Sequence, residues 1–196
     1  MAFRAEKRNS PALIAALALA ACSSAPPAPE WQANAAGGLQ AFQQRYLAGE
    51  TKAADDEFTR ARVELTATGK ADLVARAELL RCAAQVASLV FEPCAGFEAL
   101  RADSGQEERR YGDYLEGRIA RAPSDDPFSR LIAYGVQLRT GNITPQGIAA
   151  AVDIASSQGW RRPLLAWLGV QLKRAEAAGD SETAARLKRR MDLVSG

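Results

Sequence analysis

Apolar residues recur along most of this chain at intervals of three and four. No convincing two-residue alternation interrupts them, so the pattern predicts helices and no strands. Leu39, Phe42, Tyr46 and Leu47 mark a first stripe that stops near Gly49, and Ala54, Phe58, Ala61 and Leu65 mark a second that stops at Gly69. A longer stripe runs through Leu73, Ala77, Leu80, Ala84, Ala87 and Val90 to Pro93. A short turn or helix follows through Phe97 and Leu100, and another helix carries Tyr111, Tyr114, Leu115 and Ile119. Beyond it the punctuation sharpens. Asp126-Pro127 and Thr144-Pro145 each place a capping side chain before a first-turn proline. Pro163 opens a helix that Gly179 closes, and Asp180 or Ser181 caps the last one. The expectation is an all-α fold of about eight or nine helices. Short connections make neighbours antiparallel hairpins, either stacked as a solenoid or gathered as an irregular bundle.

The first residues break this pattern and read as an address. Arg4, Lys7 and Arg8 precede a short apolar run, Ala12 to Ala21. At ~10 residues that run is half of what a bilayer span requires, which predicts a cleaved signal over residues 1–21. Leu19-Ala20-Ala21-Cys22 resembles the bacterial lipobox in all four positions. That resemblance implies that Cys22 is acylated and becomes the first mature residue. Ser23, rather than Asp, follows it, which by the same resemblance implies the periplasmic face of the outer membrane in a Gram-negative cell. Several acyl chains hold a protein durably, at ~0.8 kcal/mol per buried methylene. Residues 22–34 then form the lipidated Cys and a Pro/Ala-rich tether, and 35–196 the helical domain. Eight extended tether residues, Ser23 to Glu30, span about 25 Å.

Removing the leader changes the charge. The whole chain carries 25 basic and 23 acidic residues; the leader holds Arg4, Lys7, Arg8 and Glu6, which leaves 22 of each. A charge-balanced domain without a basic surplus gives no reason to expect a nucleic-acid partner. There is no His, so the commonest general base and metal ligand are missing. No phosphate loop, nucleophile elbow or metal-binding spacing occurs, and neither cofactor nor metal is expected. Of the three cysteines, Cys82 and Cys94 remain after Cys22. In an oxidising compartment they are expected to form a disulfide, the alternative being two buried thiols.

Residues 39–65 also resemble a tetratricopeptide repeat. Gly49 stands at the turn, with Ala54, Phe58 and Ala61 following in the small–large–small order of that family's second helix. A weaker echo spans 164–191, where Gly179 is the turn and Ala184 the small residue, but Lys188 occupies the large position. An ordinary helical bundle would place Ala and Phe similarly, so solenoid and bundle both stay open.

Five residues stand out as partner-binding candidates. Phe91 and Phe97 flank the least helical stretch of the body, around Pro93-Cys94, and either face a partner or plug the core beneath. Trp160, Arg161 and Arg162 combine residue types enriched at interfaces, with core packing and solvation as the alternative. Tyr111 and Tyr114 could line a groove, although their spacing suits a core face. Arg109-Arg110 are countered by the adjacent Glu107-Glu108. The acidic clusters Asp55-Asp56-Glu57 and Asp125-Asp126 suit helix starts, so no catalytic residue is assigned. The expected function is a membrane-tethered interaction or assembly module for an envelope complex. Helical lipoproteins of this kind are similar to secretin pilotins and to the lipoprotein partner of the barrel-assembly machine. The rival is a peptidoglycan-acting or other envelope enzyme built on carboxylates.

Overall fold

The computed structural model describes residues 29–196. The leader, Cys22 and most of the tether lie outside the described residues. Within them are nine α-helices, one 3-10 turn and no strand. The helices are α1 (Glu30–Ala48), α2 (Thr51–Thr66), α3 (Ala71–Ala87), α4 (Ala95–Glu98), α5 (Gln106–Leu115), α6 (Pro127–Arg139), α7 (Pro145–Ser157), α8 (Arg161–Ala177) and α9 (Ser181–Ser195).

Local chemistry explains most boundaries. Asp126 accepts a bond from the Ser129 amide, Thr144 from Gly147 and Asp180 from Thr183, so three helices start where a side chain satisfies an orphan donor. Four boundaries depart from the apolar pattern. α1 begins at Glu30, because Trp31 packs half-buried against the helices beside it; residues 30–34 therefore belong to the domain and not to the tether. α3 ends before Val90, where Leu89 turns the chain with φ of 60° and the Val90 amide returns to the Gln85 carbonyl. α5 ends at Leu115, so Ile119 leaves the helix and is exposed. α8 starts two residues ahead of Pro163.

α3 organises the molecule. One of its faces, with Val74, Ala77 and Ala84, joins Phe42, Leu47, Phe58 and Leu65 of the α1–α2 hairpin. Its other face, with Leu79, Ala83 and Val86, joins Leu115, Leu131, Val152 and Trp167 of the later helices. A helix apolar on both sides has to lie between two layers. The α1–α2 pair approaches closely at Gly38, where a Cβ would sit 2.9 Å from Ala61 Cβ, and Phe58 packs 5.2 Å from Phe42 between ring centroids. The two stretches with repeat-like spacing are thus hairpins at the ends of the chain, α1–α2 and α8–α9. The array also folds back on itself: α1 packs on α8, and α3 packs on α6. Arg162 on α8 clasps the first hairpin, donating to the Tyr46 carbonyl at 2.7 Å and to Thr51 Oγ1 at 2.6 Å. Trp167 is fully buried and donates to the Ala87 carbonyl at 3.2 Å.

Cys82 near the end of α3 and Cys94 just before α4 stand at disulfide distance, with Cα atoms 5.8 Å apart and both side chains buried. They pin the irregular 88–94 stretch to the central helix.

Candidate functional site

An open groove of about 760 Å³ lies beside the second face of α3. Leu79 and Leu80 of α3, Tyr111 and Tyr114 of α5, and Ile132 of α6 supply its apolar surface, and residues 119–124 form a wall. The geometry follows from the early end of α5. Gly117 adopts φ of 76° and reverses the chain, and the strand of coil that follows crosses in front of the tyrosines before Asp126 starts α6. Pro123 keeps that wall out of a helix, because the residue before a proline is steered away from helical geometry.

The tyrosine rings lie 5.9 Å apart between centroids, and the Arg121 guanidinium sits 5.1 Å above the Tyr111 ring. Burial pushes the Tyr111 hydroxyl up to about 12 and raises that of Tyr114 as well, so both remain protonated at any physiological pH. At one side Glu108 turns inward, almost fully buried, and binds Arg76 at 2.6 Å. The hydrogen bond from Arg76 holds the Glu108 carboxyl below its ordinary range and raises the guanidinium in turn. Glu108 also sits in the first turn of α5, where the helix dipole favours an acid. Arg109 is spent on the Ser104 carbonyl. Among the described residues Arg110 and Arg121 make no ion pair, although both line the groove. The carboxylates of Glu107-Glu108 therefore do not cancel the adjoining arginines: one is neutralised from α3.

The sequence candidates fall elsewhere. Phe97 is fully buried; its ring lies under the Arg101 guanidinium at 4.8 Å and against Gly112, so it plugs the core and presents nothing to a partner. Phe91 is half-buried on the main core, with the Arg139 guanidinium 5.8 Å from its ring centre. Trp160 is half-buried, edge-on to Phe128 at 6.1 Å, and bridges the two apolar layers. Arg162 is consumed by the clasp to α1–α2 and lies 4.3 Å over the Tyr46 ring, while Arg161 is exposed beside Gly49. These five do not converge on one site. The acidic clusters have local duties: Asp56 binds Lys52, Glu57 binds Arg60, and Asp126 caps α6. Tyr111 and Tyr114 are the groove residues visible in the sequence. Arg76 and Arg121 carried no signal there, and Arg110 read as countered by its acidic neighbours, since only the fold decides which arginines keep an acidic partner.

No family model, curated protein or solved structure matches this chain.

Proposed function

We propose that this chain is an exported lipoprotein, anchored through Cys22 at the periplasmic face of the outer membrane, whose helical domain binds another envelope protein. The observation that carries the binding role is the groove: aromatic and aliphatic walls, two arginines without an ion-pair partner among the described residues, and an open mouth. Aromatic and arginine side chains dominate binding energy at protein interfaces. The leader motif Leu19-Ala20-Ala21-Cys22 supports the anchor. No helix among the described residues is long and apolar enough to cross a membrane. The buried Cys82–Cys94 pair suits an oxidising compartment.

Binding is favoured over carboxylate catalysis by the kind of acid that lines the groove. Hydrolysis of a glycosidic bond needs two carboxyl groups facing each other across roughly 5–9.5 Å. Glu107 and Glu108 are neighbours on one helical turn, and Glu108 is held by Arg76.

Two experiments test the proposal. Metabolic labelling with palmitate should mark the wild-type chain and not Cys22→Ala; a labelled Cys22→Ala variant overturns the anchor. A photoreactive phenylalanine at Ile119, on the groove rim, should crosslink one envelope protein in cells, whereas the same group at exposed Val63 on α2 should not. Bait recovered alone from Ile119 in repeated detergent pull-downs overturns the binding role.

A further inference from the structure

We infer that the groove takes an extended peptide segment bearing a carboxylate next to an apolar side chain; the inference rests on the binding role proposed above and names the chemistry of its ligand. Three observations converge on it. First, the charges are asymmetric. Arg110 and Arg121 line the groove without an ion-pair partner among the described residues, Arg76 is matched by Glu108, and Glu107 is the remaining lining acid. Asp126 is committed to Ser124 and the Ser129 amide at the start of α6. The free cation count exceeds the free anion count, and a planar guanidinium is suited to grip a carboxylate with two parallel bonds.

Second, the wall offers backbone. Among the described residues no peptide N–H or C=O from Ile119 to Asp125 takes part in a backbone hydrogen bond. A peptide laid alongside non-helical backbone whose N–H and C=O groups are unpaired can satisfy its own main chain there, as added strands do when they acquire affinity without sequence demands. Third, the floor is apolar and aromatic. Tyr111 carries Arg121 over its ring, which holds one guanidinium at the groove before any ligand arrives. A side chain seated on Tyr111 and Tyr114 would bring the adjoining residue of an extended peptide within reach of Arg121. An acidic residue beside an apolar one fits that spacing better than a uniformly acidic run, which Glu107 would repel.

The test uses the full acylated chain in detergent micelles and three dye-labelled heptapeptide pools. Their central residue is Glu, Gln or Lys, and the flanking positions are mixed apolar residues. Fluorescence anisotropy should show the Glu pool binding at least tenfold more tightly than the other two, with the advantage shrinking as salt is raised. Arg110→Ala/Arg121→Ala should remove that advantage while leaving the helical circular dichroism as in wild type, with the unfolding midpoint lowered only slightly by loss of the Arg121–Tyr111 contact, since both side chains are exposed and without an ion-pair partner among the described residues. Equal affinity for all three pools, no binding of any pool, or a Glu preference that survives the double substitution overturns the inference. Saturable capture of phosphatidylglycerol vesicles through the same two arginines, without peptide binding, overturns it in favour of a lipid headgroup. A partner crosslinked from Ile119 together with failure of all three pools refutes the ligand chemistry alone; loss of both refutes the binding role as well.

Discussion

The Glu78 carboxylate is buried on α3 and held by two guanidiniums, Arg62 at 2.8 Å and Arg81 at 2.6 Å. A Cβ on Gly96 would overlap the same carboxylate, so α4 closes over it. Removing one member of such a cluster strands the others. Arg62 and Arg81 are each more than a third exposed, and water recovers part of their charge. Glu78→Gln should therefore cost about 1–3 kcal/mol in urea unfolding; a variant as stable as wild type would mean that the ion cluster contributes nothing. Asp126 is a different case, because its stabilisation depends on pH. Bonds from Ser124 and Ser129 pull its carboxyl down to about 2, below the ordinary ~3.9 of an unfolded chain. A depressed acid stabilises fully above the unfolded value and loses that contribution as pH falls toward the folded one. Asp126→Ala should cost about 1 kcal/mol at neutral pH. The gap between variant and wild type should narrow from pH 4 to pH 2 in parallel denaturation series.

Two glycines show how the helices meet. On α6, a Cβ at Gly135 would lie 2.4 Å from the Val86 carbonyl oxygen, which is backbone and cannot turn aside. On α8, a Cβ at Gly169 meets nothing within 4 Å. Both substitutions to Ala gain about 1 kcal/mol of helix propensity. At Gly135 the clash outweighs that gain, and a net loss of about 1–3 kcal/mol is expected. At Gly169 the gain stands, and the thermal midpoint should rise. Equal effects at the two sites would place the α3–α6 approach in doubt. The helices themselves were readable from the 3.6-residue stripes and the Asp126-Pro127 and Thr144-Pro145 starts, because those signals act within one turn of chain. The start of α1 was not, since Trp31 earns its place only by packing on helices distant in sequence. Ile119 was misassigned to a helix for the converse reason: its spacing from Leu115 is helical, but Gly117 reverses the chain between them.

At the scale of the molecule, the buried Cys82–Cys94 pair and a polar clasp restrain the packing. The Cys82–Cys94 pair closes a loop of 12 residues. A disulfide at this position should contribute about 2–4 kcal/mol, so a reductant should lower the urea midpoint of wild type and leave Cys82→Ser/Cys94→Ser unmoved. A wild-type midpoint indifferent to reductant would show that the thiols are not joined. Arg162 ties α8 to the α1–α2 corner across the whole sequence, which is why a residue marked by composition as an interface candidate became an internal contact.

Periodicity and capping chemistry, both local, were enough to determine the all-α class, the approximate number of helices and most of the turn positions. Proximity between distant segments decided the rest. It made α3 a shared helix, brought α8 back onto α1, turned Glu108 toward Arg76, and left Arg110 and Arg121 beside two tyrosines without an ion-pair partner among the described residues. An arginine's availability depends on which acid the fold sets next to it, and no spacing rule along the chain records that.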